Sequence, residues 1–176
     1  MKKLTLRDVA FAAILAAVYA VLTRYLPIPQ YGQIQLRAAE ALTVLPFFYP
    51  PAIFGLFVGC MAANLLGSFL PLDFVFGSAA TLLAAIWTAK LKNRWLAPMP
   101  PVVCNMIIIG AELMFYETDL TLAAAPRAFL LNAAGVGAGE LVACYGLGSL
   151  LLTAVYRNGY CRGRIAPERL GEVRGF

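Results

Sequence analysis

The sequence has no histidine, which removes imidazole acid–base chemistry and histidine-ligated metals from the functions open to it. Charge is scarce as well. Asp, Glu, Lys and Arg make up 13% of the 176 residues against 61% hydrophobic, with a mean hydropathy of +0.77, whereas a soluble domain is about a quarter charged. The chain therefore reads as a membrane protein. The four cysteines, Cys60, Cys104, Cys144 and Cys161, have no CxxC spacing and three lie in apolar runs. Free thiols are expected, with no metal site and no disulfide framework. Length is limiting too: about six spans of roughly 20 residues leave no room for a soluble catalytic or ATP-binding domain. No cofactor is expected in this chain, and ATP would have to be used by a partner.

What is present is a series of apolar runs punctuated by prolines and basic clusters. The expected architecture is an all-α, compact six-helix membrane bundle, residues 1–156, with helices over about 6–26, 36–48, 52–69, 73–89, 101–116 and 128–156, followed by a basic tail, 157–176. Helix 36–48 is short for a span and also suits a re-entrant segment. The Pro50-Pro51 turn after it favours a hairpin of two spans. The apolar run after MKKLTLRD lacks a small-residue cleavage site, so the first helix is expected to be retained. All Lys and Arg except Arg24, Arg37 and Arg127 fall on one side of this topology, which predicts that both termini are cytoplasmic. The net charge of +5 thus reports orientation and not nucleic-acid binding.

Small residues are phased along the first helix. Ala12, Ala16 and Ala20 form one ladder and Ala13 with Ala17 a neighbouring one, a spacing that lets another helix approach closely in lipid. Internal packing and a surface for another protein both fit. Gly55 and Gly59 have the same spacing in the third helix. The series Gly135, Gly137, Gly139 lacks the strand-to-helix context of a dinucleotide motif, so tight helix packing is the better reading.

The stretch QIQLRAAEALTVL, 33–45, organises the rest. Arg37 and Glu40, three residues apart, would share one helix face. Counting ~1.5 Å per residue from the helix ends, Asn64, Asp73, Glu112 and Asn132 fall at a similar depth in the outer half, with Glu140 deeper and Asn105 in the inner half. Charges facing lipid cost at least a few kcal/mol, so these groups should face one another or a wet cavity. Asp73 also suits a helix N-cap, and Arg37 paired with Glu40 suits a purely structural network. Glu112 and Glu140 then have no basic partner within a span. They are either protonated or met by a cationic or donor-rich ligand. One guanidinium against four carboxylates disfavours an anionic ligand and suits amine or amidine-like donors. Tyr31, Phe74, Phe76, Phe115 and Tyr116 are candidates to stack on a flat ring, although aromatics at this level are commonly membrane-belt anchors.

The pattern QIQLRAAEALTVLPFF, followed by AIFGLFVGCMAANLLGS and LDFVFGSAATLLAA, resembles the QueT family of queuosine-precursor uptake proteins, the substrate-binding (S) subunits of energy-coupling factor (ECF) transporters. The resemblance covers about 6–156. It implies a cup open to the outside and a deazaguanine substrate such as the aminomethyl form or queuine. It also implies a transmembrane coupling subunit and two cytoplasmic ATPases as partners, with import by toppling in the bacterial cytoplasmic membrane. Arg37, Glu40, Asn64, Asp73, Glu112, Asn132 and Glu140 lie where such subunits hold substrate, and Ala12, Ala16 and Ala20 correspond to the family's docking motif. Three other readings remain: an S-component for a different vitamin or base, a membrane-embedded enzyme, and an adaptor whose polar cluster binds nothing. The enzyme is disfavoured because no nucleophile–base pair or DxxD-type metal motif is present.

Overall fold

The computed structural model describes residues 5–28, 35–67, 72–118, 124–163, 165 and 167–175, and it is all-helical. Helix α1 (Leu6–Tyr25) starts at a capping box: the Thr5 hydroxyl accepts from the Asp8 N–H, and the Asp8 carboxylate accepts from the Thr5 N–H at 2.8 Å, so two free donors of the first turn are satisfied. Tyr49 also donates to Asp8, pinning the start of α1 to the chain beyond the next helix.

That next helix, Ala38–Phe47, was expected as an α-helix over 36–48 and is instead a 3₁₀ helix. At ~2.0 Å per residue its ten residues reach about 20 Å, where α geometry would give about 15 Å. Pro46 within it has no N–H to donate, and the Thr43 hydroxyl donates to the Glu40 carbonyl at 2.5 Å. Side chains three apart eclipse in this geometry, which stacks Glu40, Thr43 and Pro46 in one row. The helix touches α1 and four later elements, so it is the hub of the bundle.

Helix α2 (Ala52–Gly67) lies along α1. A Cβ on Gly55 would stand 2.5 Å from the Ala12 carbonyl oxygen, and one on Gly59 would stand 2.8 Å from that of Ala16. Ala12 and Ala16 therefore pack within the chain, and Ala20 packs partly buried against the same core. The outward-facing pair is the neighbouring one, Ala13 and Ala17. The expected end of this helix at Phe69 falls outside the described residues.

Helix α3 (Asp73–Lys90) is capped by no side chain, and Leu72 occupies the cap position. Asp73 is thus not an N-cap. Helix α4 (Met99–Thr118) starts earlier than expected because Pro100 and Pro101 fit its first turn, where a missing N–H costs nothing. The expected helix 128–156 is one continuous run in three parts: α5 (Ala125–Glu140), a π-helical stretch (Leu141–Gly148) and α6 (Ser149–Arg157). The π stretch packs on the central 3₁₀ helix. Within α5, a Cβ on Gly139 would lie 1.6 Å from the Gln35 carbonyl oxygen, so the chain entering the central helix is seated directly on this glycine.

Three helical runs among the described residues are long and apolar enough to cross a membrane, Leu6–Tyr25, Met99–Glu117 and Ala125–Arg157; Ala38–Phe47 and Ala52–Gly67 are apolar but shorter. The side-chain distribution is inverted relative to a soluble protein. Ile14, Phe54, Val58, Leu83, Leu130 and Leu150 are exposed, while Arg37, Glu40, Asp73, Glu112 and Glu140 are buried. The chain is a multi-pass membrane protein.

The basic segment after Arg157 packs against the bundle. Helices α7 (Gly159–Arg162) and α8 (Pro167–Glu172) turn back under the bundle, and Ile165 is buried with Val44, Phe47, Phe48, Ala97 and Leu152. Arg174 donates its N–H to the Lys92 carbonyl at 2.8 Å and accepts from the Arg94 N–H at 3.1 Å.

Candidate functional site

The buried polar residues meet around the central 3₁₀ helix. Arg37, the residue before its first turn, is 2% exposed, and its Nη2 lies 3.9 Å from Asp73 Oδ2. Its charge also acts on Glu40, Glu112 and Glu140, so one guanidinium serves carboxylates from α3, α4, α5 and the central helix. Desolvating that many charges is costly unless donors are supplied to them.

Glu40 is fully buried. Its Oε1 accepts from the Tyr19 hydroxyl of α1 and from Thr81 Oγ1 of α3 at 3.3 Å. Asn64, near the end of α2, donates from Nδ2 to the Asp73 carbonyl at 2.8 Å, which ties α2 to the first turn of α3. Asn105 of α4 donates from Nδ2 to Glu140 Oε1 at 2.8 Å, and the Cys144 thiol in the π stretch donates to Glu140 Oε2 at 3.4 Å. Glu140 is thereby held on both oxygens where α geometry gives way to π.

One of the expected residues stands apart from this set and one is tied to it through Asp73. Asn132 donates to Glu117 Oε2 at 2.8 Å, so it is held by the last turn of α4. Glu112 is 3% exposed, and its carboxyl shares a side-chain hydrogen bond with Asp73 of α3. Of the stacking candidates, Phe76 and Phe115 flank a groove beside Glu112, the Tyr116 hydroxyl accepts from the Leu72 N–H at 3.4 Å, and Tyr31 lies outside the described residues.

The site contains residues that sequence reasoning did not assign to it. Asn105 carried a signal, being seven residues before Glu112 and hence on its face of the helix. Tyr19 and Thr81 carried none, because a tyrosine and a threonine in apolar runs are ordinary. No group of His, Cys, Asp and Glu that could hold a metal occurs among the described residues. Cys60, Cys104, Cys144 and Cys161 are free thiols.

The chemistry follows from what is left unfilled. Among the described residues, Glu40 Oε2, Asn64 Oδ1 and Asn105 Oδ1 are buried without a hydrogen-bond partner. Both asparagines have turned their N–H₂ groups onto protein acceptors and present bare oxygens. Each buried acceptor left unmade costs on the order of 1–3 kcal/mol.

A protein of Lactococcus lactis subsp. cremoris, named queuosine precursor transporter QueT, is 39% identical over 97 residues, covering 54% of this chain and 57% of that relative. The chain thus spans 57% of the length of the curated relative it matches. No solved structure matched the chain significantly. The sequence model of the QueT transporter matches residues 9–157, from the first turn of α1 to the end of α6 and hence every residue of the cluster, so this multi-pass chain belongs to the QueT transporter family.

Proposed function

We propose that this chain is the substrate-binding S-component of an ECF importer and that its substrate is a queuosine precursor, a deazaguanine base in the aminomethyl or queuine form. The observation that carries the reading is the set of buried, unfilled acceptors on Glu40, Asn64 and Asn105. A guanine-type edge offers several N–H donors in one plane, and an aminomethyl arm adds a cation, so both halves of such a ligand meet what the cluster lacks. The name of the Lactococcus relative points to the same substrate class.

In this reading six helical passes put both termini in the cytoplasm, and Lys90, Lys92, Arg94 and the basic C-terminal segment obey the positive-inside rule. The cluster then lies in the outer half, loaded from outside. A transmembrane coupling subunit and two ATPases supply the energy, with ATP used only there, and the loaded subunit topples to release substrate inward. The docking face on α1 is carried by the outward pair Ala13 and Ala17, since Ala12 and Ala16 are engaged by α2.

Calorimetric titration of the purified chain with aminomethyl-deazaguanine, queuine and guanine tests this. Tight deazaguanine binding that weakens about tenfold or more in Glu40→Gln and Asn64→Leu is the expected result. A folded protein that binds none of the three would overturn the substrate assignment.

A further inference from the structure

Asp73, the first residue of α3, and Glu112 of α4 are 2% and 3% exposed, and their carboxyl groups share a hydrogen bond. An ionised carboxylate only accepts hydrogen bonds, so this one exists only while the pair holds a proton. Two bare carboxylates in its place would repel each other. The singly protonated pair keeps one negative charge, and the Arg37 guanidinium, 3.9 Å from Asp73 Oδ2, balances it. A proton therefore joins α3 to α4 in front of Arg37.

The pair is tied to the acceptor cluster through the backbone of α3. The Asp73 carbonyl accepts from Asn64 Nδ2 at 2.8 Å, and a Cβ on Gly77, one turn along α3, would stand 2.6 Å from the same nitrogen. The Asn64 amide is thus seated on the first turns of α3, and its bare oxygen keeps its place only while they keep theirs. The other titratable groups around Arg37 are Glu40 on the central helix, Tyr19 of α1, Cys60 of α2 and Glu140 of α5. Cys144 of the π stretch is bonded to Glu140, and the Tyr116 hydroxyl of α4 to the Leu72 N–H beside Asp73.

We propose that Glu112 is a positioning residue: it shares one proton with Asp73, and that proton holds the first turn of α3 against α4 so that Asn64 and Arg37 keep the places from which they meet the ligand. The inference rests on the base-binding reading above for its affinity readout and is independent of it for its stability readout. The unfolded chain gives up both carboxyl protons above about pH 5, whereas the folded pair keeps one. Stability and affinity are therefore full while the pair holds its proton and fall as rising pH passes that proton to solvent. In Glu112→Gln the amide N–H₂ donates to the Asp73 carboxylate at any pH, so the joint persists and its pH dependence disappears.

The test follows thermal midpoint and affinity of the full chain in detergent from about pH 5 to about pH 9, in the wild type and in Glu112→Gln. The calorimetric probe is methyl-deazaguanine, which lacks an amine and so keeps its own charge fixed. In the wild type the midpoint should fall toward the alkaline end and affinity should drop roughly tenfold or more, while Glu112→Gln should hold its affinity within about threefold. The infrared band of a protonated carboxyl group should fade in the wild type over the same pH range, which checks the proton without any variant. A flat wild-type profile, parallel declines in both proteins, or a band that persists while affinity falls would each overturn the proposal. Base binding that ignores pH while the midpoint follows it would remove the positioning role and leave the base-binding reading intact. If no base binds at any pH, that reading falls and takes the positioning role with it.

Discussion

The Arg169 guanidinium sits on the end of the central 3₁₀ helix, with Nε donating to the Phe47 carbonyl at 2.6 Å and the charge lying over the Phe47 ring. Nη2 reaches the Ala89 and Leu91 carbonyls at 2.9 and 2.6 Å, and Nη1 lies 3.6 Å from Glu172. One side chain from α8 thus closes the ends of two helices, whose last carbonyls have no partner within their own helix. Positive charge at a helix C-terminus is favourable in its own right.

Removing this clasp should loosen the bundle from its C-terminal end. Arg169→Ala is expected to cost about 3 kcal/mol, since it strips several charge-assisted bonds from carbonyls that are not free to find water. Arg169→Lys should recover only part, because an ammonium cannot reproduce the planar fork. Thermal unfolding of the detergent-solubilised protein measures both, with the order wild type, Lys, Ala. Equal stability of Lys and Ala would mean that the fork geometry is irrelevant.

Gly139 provides a sharper steric test. Any Cβ there lands on the Gln35 carbonyl oxygen at 1.6 Å, and backbone cannot move aside as a flexible side chain does. Gly139→Ala should displace the chain before Arg37, lowering both the yield of folded protein and substrate affinity, with a stability loss of about 3 kcal/mol or more. Gly146→Ala in the π stretch is the control, because nothing stands within 4 Å of a Cβ there. Size-exclusion profiles and calorimetry of the two variants should separate cleanly.

Much of this organisation was visible in the chain before folding, and what was missed was missed for identifiable reasons. The polar residues that matter, Arg37, Glu40, Asp73, Glu112 and Glu140, stood out because a charge in an apolar run demands a partner. A spacing of three is compatible with both α and 3₁₀ geometry, so the pattern that placed Arg37 near Glu40 could not distinguish the two. The partner of Arg37 on α3 depends on tertiary packing that no local spacing encodes. The alanine ladders of α1 were legible as contact surfaces, but a small residue says only that something comes close; which ladder faces α2 is decided by Gly55 and Gly59. The tail read only as basic because its arginines dominate its composition. Its apolar members, Ile165, Leu170 and Val173, are the ones packed against the core.

Glu140 separates a structural role from an ionic one. It holds Asn105 by one oxygen and the Cys144 thiol by the other, and so fixes the amide with its bare oxygen presented. Glu140→Gln keeps an acceptor for the Asn105 N–H₂ and should retain substrate affinity within about threefold. Glu140→Leu removes it, frees the amide to turn, and should weaken binding roughly tenfold or more. Calorimetry on both, with the same ligand, checks the difference. A large loss in Glu140→Gln would instead assign its charge to the ligand.

The Arg37–Asp73 pair makes a prediction about coupling. Breaking a buried ion pair from one side strands the other charge and costs about 3–5 kcal/mol, so Arg37→Met should be severely destabilised, and Asp73→Leu less so because Arg37 still faces Glu40. If the pair stood alone, the double variant Arg37→Met with Asp73→Leu would recover most of the loss, as apolar replacement of an isolated buried pair does. Here it should recover only part, with a coupling energy of about 1–3 kcal/mol, because Glu40, Glu112 and Glu140 lose the same guanidinium. Adding Glu40→Gln to the double variant should then restore further stability, since it removes the carboxylate whose second oxygen is already unfilled. Thermal midpoints across this series measure each step. Full recovery in the double variant would show that Arg37 serves Asp73 alone and that the carboxylates around it are independent of one another.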